Sequence, residues 1–282
     1  MATAPDSAAP EDAGRRPAGH GAQGDPSGTG ARAAGTVQIV DHAIQVLKAI
    51  AEADRARGVR ELSRDLAISK SSVQRILVSL EREGLAVADE STRKYVIGPA
   101  ALTLAWRHTA NSDLVGASSA TASRIAALTG ETACVSTIVD GRRVTVYEAE
   151  SPQPLRLITG VGRPYSLFSG ATGRILLSML APERARQLVE EHAGGDVDVE
   201  VDVDAVVARI DAVRQQGYAI SRAEWIAGGC GVAVPLGVQG GVVAALSIYG
   251  PEARMTDERM AELVPVLRTA AAEITVRWRQ PA

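Results

Sequence analysis

Residues 58–98 read GVRELSRDLAISKSSVQRILVSLEREGLAVADESTRKYVIG, and this stretch decides the fold. Val59, Leu62 and Leu66 recur at helical spacing and predict a short helix over 59–66. Ala67, Ile68 and Ser69 then form a three-residue turn in which Ser69 is placed to cap a helix starting at Lys70. On that helix Val73, Ile76, Leu77 and Leu80 share one face, and Gly84 stops it after Glu83. Two short apolar runs, Leu85 to Ala88 and Lys94 to Ile97, flank the polar DESTR and predict a β-hairpin. Helix, turn, helix and hairpin in about 40 residues is the order of a winged helix-turn-helix, whose second helix enters the major groove of DNA.

The outward face of that second helix carries suitable chemistry. Ser71, Gln74 and Arg75 lie opposite the apolar stripe, with Ser69, Lys70 and Ser72 at the N-terminal edge. Arginine can fork onto guanine, glutamine can bridge adenine, and serine or lysine can reach phosphate. Arg93 and Lys94, at the hairpin tip, suit a phosphate or minor-groove contact. A merely solvated helix face is the alternative, and the tri-helical context with a wing argues against it. Between residues 36 and 100 there are ten Lys or Arg and nine Asp or Glu, so affinity must come from placement and dimerisation rather than bulk charge.

Outward from this module, Val40, Ile44, Leu47 and Ala51 predict a preceding helix over 37–53. Residues 1–35 have no apolar periodicity and are expected to be a disordered leader. The DNA-binding domain is placed at 36–98, a linker helix at 99–112 and a sensor domain at 113–282. Within the last, TACVSTIVD and RVTVYEAE meet at Asp140-Gly141, and GVAVPLGV and VVAALSIYG meet at Gly240-Gly241; both pairs are hairpin signals and imply an antiparallel sheet. Helices are expected at 113–128, 171–180, 182–192, 203–216 and 256–278, and the alternating Asp196 to Asp204 stretch is read as a loop. The fold class is therefore α+β, with two domains after the leader.

Composition narrows the function. The 282 residues are 46% hydrophobic and 22% charged with a net charge of −3, ordinary for a globular protein and unlike a bulk polyanion binder. One Phe and 3% aromatics speak against base-stacking platforms for single strands. Two cysteines, Cys134 and Cys230, form neither a disulfide framework nor a zinc pair and read as buried structural thiols. The histidines, His20, His42, His108 and His192, have no metal spacing. No apolar run is long enough to span a membrane and no secretory signal is present, so a cytoplasmic protein is expected.

GVRELSRDLAISKSSVQRILVSLEREGLA with RKYVIGPAALTLA resembles the DNA-binding domain of IclR-family regulators. GRPYSLFSGATGRILLS and GGCGVAVPLGVQGGVVAALSIYGPEARMT resemble the same family's C-terminal segments, so the resemblance runs from about Val37 to Arg279. It implies a GAF-like effector domain, a homodimer or tetramer, a double-stranded DNA operator and a small-molecule effector, often with repression. It also implies no cofactor. Arg174 departs from the family's usual lysine.

Carried onto this chain, the effector site would comprise Gly170, Ala171, Ser221, Gly229, Cys230, Gly231, Ser247 and Tyr249, with Leu155 and Ile158 as an apolar wall. Small residues let backbone N–H groups approach a carboxylate or aromatic acid, and the helix opening at Thr172 and Gly173 favours an anion. Arg163 could pair with an acid, and Glu224 with Trp225 could form a gate, though a loop ion pair and a core tryptophan are the plainer readings. An enzyme is disfavoured because no Ser-His-Asp set, phosphate loop or close cysteine pair is present. A winged-helix protein-interaction module with a ligand- or redox-sensing domain stays open beside the regulator.

Overall fold

The computed structural model describes residues 28–110, 112–192 and 202–280, and the chain divides into two compact units, one ending at Gly98 and the other starting at Pro99. The first contains α1 (Gly28–Ala51), α2 (Val59–Asp65), α3 (Lys70–Arg82), β1 (Ala86–Ala88) and β2 (Tyr95–Ile97). Leu62, Ile68, Val73, Leu77 and Tyr95 close a small core with Val46 and Ile50 of α1. The turn between α2 and α3 places Ala67 in the left-handed region at φ 55°. β1 and β2 pair antiparallel, and Arg57 exchanges backbone hydrogen bonds with Tyr95 at 2.9 and 2.8 Å, adding a rung that ties the wing to the chain before α2.

Two expectations for α1 are corrected. The helix begins at Gly28, so residues 28–35 are helical rather than leader; residues 1–27 lie outside the described residues. Its buried face is set by Val46 and Ile50, backed by Ala43 and Leu47, while Val40, Ile44 and Ala51 are exposed. Only the last turns of α1 meet the α2–α3 core, so apolar residues further up the helix face outward.

The second unit contains α4 (Ala100–Ala110), α5 (Asp113–Thr129), β3 (Thr132–Val139), β4 (Arg142–Ala149), β5 (Pro164–Tyr165) and α6 (Gly170–Ser178). It continues with α7 (Pro182–His192), α8 (Val203–Gln216), β6 (Ala219–Arg222), β7 (Gly229–Gln239), β8 (Val242–Pro251) and α9 (Asp257–Trp278). The strands form one antiparallel sheet in the order β5-β4-β3-β8-β7-β6. The short edge strands β5 and β6 were not expected from the sequence, and most of the 196–204 stretch lies outside the described residues.

Helices α5 and α9 cover one face of the sheet, where Val135, Val232, Val234, Leu246 and Ile248 meet Ile125, Leu263, Leu267 and Ile274. Each such side chain contributes roughly 1.5–3 kcal/mol on burial. Helices α6, α7 and α8 pack beside the other face over Ala219, Ala233 and Ala245, whose small side chains let α6 approach closely. Among the described residues no helix is long and apolar enough to cross a membrane.

Candidate DNA-reading face and effector site

The N-terminal turn of α3 is fixed by its cap. Ser69 Oγ accepts from the Ser72 backbone N–H at 3.2 Å and lies 3.1 Å from Ser71 Oγ and 2.8 Å from Ser72 Oγ, so the three hydroxyls form one cluster. Beyond it Lys70, Ser71, Gln74 and Arg75 are exposed opposite the buried Val73, Ile76 and Leu77. Arg75 makes no ion pair among the described residues, which leaves its fork of donors available to a base edge or phosphate. Gln74 Nε2 leans toward the wing and donates to Tyr95 Oη at 3.4 Å.

Several other cations of this unit are committed internally. Arg55 pairs with Glu61, Arg57 with Glu61 and Asp65, Arg64 with Asp65, and Lys94 Nζ lies 4.0 Å from Glu61. The Glu61 carboxyl is held below its ordinary pKa first by the Gly58 backbone N–H and then by Arg55. These contacts stitch α2 to the wing. They also mean that Lys94 is drawn back toward the module while Arg93 stands exposed at the tip. The tip is shaped by Asp89, which accepts from Ser91 N–H, Ser91 Oγ and Thr92 N–H at 2.8, 2.6 and 2.8 Å, and by Arg93 in the left-handed region at φ 52°.

In the second unit, the sheet face turned away from α5 and α9 is polar and buried. Cys134 and Ser136 of β3, Arg143 and Thr145 of β4 and Ser247 and Tyr249 of β8 are all nearly inaccessible. Their groups are linked. Thr159 Oγ1 donates to Glu148 Oε2 at 2.5 Å and lies 3.0 Å from Thr145 Oγ1, Ser136 and Thr145 hydroxyls are 3.3 Å apart, and Tyr249 Oη meets Thr172 Oγ1 of α6 at 2.6 Å and accepts from Arg143 Nη1 at 2.7 Å. Tyr165 and Trp225 cover the cluster, with ring centroids 5.3 Å apart and Trp225 5.6 Å from Tyr249, both edge-on. Burial pushes the Tyr249 phenol above its ordinary pKa. So many buried hydroxyls around one cation are unusual for a core that exists only to be stable.

The N-terminus of α6 opens beside this cluster. Gly170 N–H donates to Glu224 Oε2 at 3.1 Å, and Glu224 pairs with Arg174, whose Nη2 also donates to Ile220 O at 2.5 Å. The arginine fork serves both partners at once, which a lysine at position 174 would do less well. Glu224 is thus a latch between the β6–β7 loop and α6, and Trp225 beside it is half-buried against Tyr165 and Tyr249.

The residues anticipated for the effector distribute unevenly. Gly170, Ala171, Ser221, Gly231, Ser247 and Tyr249 lie about this cluster. A Cβ on Gly231 would meet the Tyr249 ring at 2.9 Å and Ser221 Oγ at 3.2 Å, so glycine there makes room for the ring. Cys230 instead points to the opposite face and packs in the α5–α9 core, because the strand alternates sides. Leu155 and Ile158 are 67% and 46% exposed and form no buried wall. Gly229 packs against Ile226 and Leu157 rather than the hydroxyl cluster. Arg163 is exposed and stacks over Tyr165 at 5.5 Å.

Arg143, Thr145, Thr159, Ser136 and Tyr165 were not anticipated; the one signal for them was the alternation of RVTVYEAE, in which Arg143 and Thr145 share a side. The Cys134 thiol is fully buried and pushed far above its ordinary pKa, chiefly by that burial, which leaves little thiolate. A separate groove of about 690 Å³ is lined chiefly by apolar residues, among them Val139, Val144, Val161, Val242 and Trp278.

Two family models match this chain: the IclR helix-turn-helix domain over residues 39–90 and the bacterial transcriptional regulator IclR C-terminal domain over residues 107–276. The HTH-type transcriptional regulator KdgR of Escherichia coli is 30% identical over 235 residues, covering 82% of this chain and 89% of the relative. A crystal structure of an IclR transcriptional regulator from Alicyclobacillus acidocaldarius superposes with a TM-score of 0.72 at 27% identity, covering 86% and 98% of the two chains. An IclR homologue from Microbacterium hydrocarbonoxydans, complexed with 4-hydroxybenzoate, shares the fold with a TM-score of 0.66 at 19% identity, covering 86% and 99%.

Proposed function

The chain belongs to the IclR family of bacterial transcriptional regulators, and from that premise we propose how it reads DNA and senses its effector. Residues 36–98 bind an operator, residues 99–112 form a linker helix, and residues 113–282 bind a small carboxylic or aromatic acid. Arg75 and Gln74 contact base edges, Ser69, Lys70, Ser71 and Ser72 contact phosphate, and Arg93 contacts the flanking backbone, with Lys94 joining it by turning from Glu61. The observation that carries this reading is the exposed face of α3, where Arg75 stands free of ion pairs among the described residues above a buried Val73–Ile76–Leu77 stripe.

A single winged helix with near-neutral charge binds weakly, so the operator-binding form is a homodimer or tetramer that sets two α3 helices roughly 34 Å apart. The effector shifts the population of arrangements that match this spacing, a coupling of about 1–3 kcal/mol. The setting is the bacterial cytoplasm and the usual outcome is repression. The 4-hydroxybenzoate held by the Microbacterium homologue supports an acid as the ligand class.

Fluorescence anisotropy with the protein's own promoter DNA against a scrambled duplex, at fixed salt, tests the DNA half. Arg75→Ala is expected to lose about 1–3 kcal/mol on the cognate duplex and to relax specificity. Equal affinity for both duplexes would instead mark the winged helix as a protein-interaction module.

A further inference from the structure

We infer that Arg143 is the anchor for the effector's carboxylate and that the ligand is a small hydroxylated carboxylic acid seated beneath Trp225; this rests on the effector reading above. Arg143 is 1% exposed, yet only one of its donors has a hydrogen-bond acceptor, Tyr249 Oη at 2.7 Å. Its Nε is buried without a partner, and Glu148, the carboxylate on this face, accepts from Thr159 and Gly160 rather than from Arg143. The other buried arginine among the described residues, Arg174, is neutralised by Glu224. What surrounds the Arg143 guanidinium is π-density, with its carbon 4.8 Å from the Tyr165 centroid, 5.7 Å from Tyr249 and 5.8 Å from Trp225. Aromatic faces offset part of the cost of a dry cation, and an incoming anion offsets more because it also fills the empty donors.

The competing anion site on the same face is already taken. Gly170 N–H at the start of α6 donates to Glu224, which Arg174 holds in place. A ligand carboxylate therefore meets an occupied helix terminus and an unneutralised guanidinium, and the guanidinium wins on charge. The rest of the wall selects what else the ligand carries. Thr145, Thr159, Thr172 and Ser247 are buried hydroxyls whose protons go to partners within the protein, and their remaining oxygen lone pairs can accept from a hydroxyl on the ligand, which a bare hydrocarbon does not offer. Trp225 lies over the guanidinium and against Tyr249, so an acid that reaches Arg143 must displace this ring.

The test uses full-length protein and calorimetry, with Trp fluorescence as a second readout. Lactate, glycerate and 4-hydroxybenzoate are titrated beside lactamide, glyceramide and 4-hydroxybenzamide, which separates an aliphatic from an aromatic hydroxy acid and a carboxylate from its neutral isostere. Wild type is expected to prefer at least one acid over its amide by about tenfold or more. Arg143→Gln should lose that preference and weaken the acid by roughly 10- to 100-fold, while Arg143→Lys, which keeps the charge, should retain the preference at reduced affinity. If Arg143→Gln and Arg143→Lys both bind the acid like wild type, the carboxylate sits elsewhere and the anchor is overturned while the effector reading stands. If wild type binds no acid of the panel, the effector reading falls and takes the anchor with it. Should Arg143→Gln fail to fold by circular dichroism, Arg143→Lys decides: loss of its acid-over-amide preference overturns the proposal.

Discussion

On β8, Leu246 and Ile248 point toward α5 and α9 while Ser247 and Tyr249 point toward α6, and all four are buried to within 3%. The two sides of the sheet thus have equal burial and opposite chemistry. On the α5–α9 side the contacts are chiefly dispersive and support folding, with Thr275 Oγ1 donating to Leu236 O as a polar addition. On the other side hydroxyls, a phenol and an unneutralised guanidinium sit in the same dry environment, where polar groups repay their desolvation only if they are partnered. The difference teaches that burial by itself does not identify a core. A face that holds a buried guanidinium with its Nε left without an acceptor is organised around something other than stability.

Truncation of neighbours on β8 tests that distinction most severely. Leu246→Ala should lose about 2–5 kcal/mol in denaturant unfolding, through lost transfer energy and a residual cavity. Ser247→Ala, one residue away and just as buried, should lose about 1 kcal/mol or less, because its hydroxyl reaches Cys134 O only at 3.5 Å. Comparable losses for the two would mean that the polar face is a structural network, and the comparison would break. The sign of the next effect is reversed. Arg143→Met removes a buried charge that has no counter-ion among the described residues, and is expected to leave stability unchanged or raise it by about 1 kcal/mol while acid binding is lost. A clear destabilisation would show that the aromatic cage already satisfies the cation.

How far the sequence could be read follows the same division. The module over 58–98 was legible because its signals are local: the Val73–Ile76–Leu77 spacing, the Ser69 cap and Gly84, which takes φ 69° as a helix stop should. The two long hairpins were legible from Asp140-Gly141 and Gly240-Gly241, all four at positive φ. β5 and β6 escaped notice because two and four residues are too few to display an alternation. The α1 face was misjudged because Val40 and Ile44 obey the helical period without reaching the core that Val46 and Ile50 reach.

The site suffered most from the ambiguity of period two. Arg142 and Arg143 are adjacent, and sequence alone does not say which turns inward; that depends on the register of β4 against β3, which shifts between Val135 and Ser136. Cys230 was grouped with Ser247 and Tyr249 although it faces α5 and α9, a difference of side that sequence does not display, whereas Ser247 and Tyr249, two apart on β8, share a side in either register.

The wing tip supplies the smallest test and the counter-case to the buried face, since it has hydroxyl and amide donors that are exposed and satisfied locally. Ser91 Oγ, the most influential, together with the Thr92 and Ser91 backbone N–H groups lowers the Asp89 pKa to about 2. An ordinary aspartate titrates near about 3.9, so this carboxylate is depressed in the folded wing. Its contribution is then present above the unfolded value and lost as pH falls through about 2. In an NMR titration from about pH 4 downward, the Ser91 and Thr92 amide resonances should move with a midpoint near about 2 in wild type. Asp89→Asn keeps an acceptor at the same place and should abolish that movement, with operator affinity at neutral pH nearly unchanged because solvent screens an exposed turn. A midpoint near about 4 would mean that the turn is open in solution. In that case locally satisfied donors would not hold even this simple shape, and the contrast between a structural hydroxyl and a ligand-directed one would lose its reference.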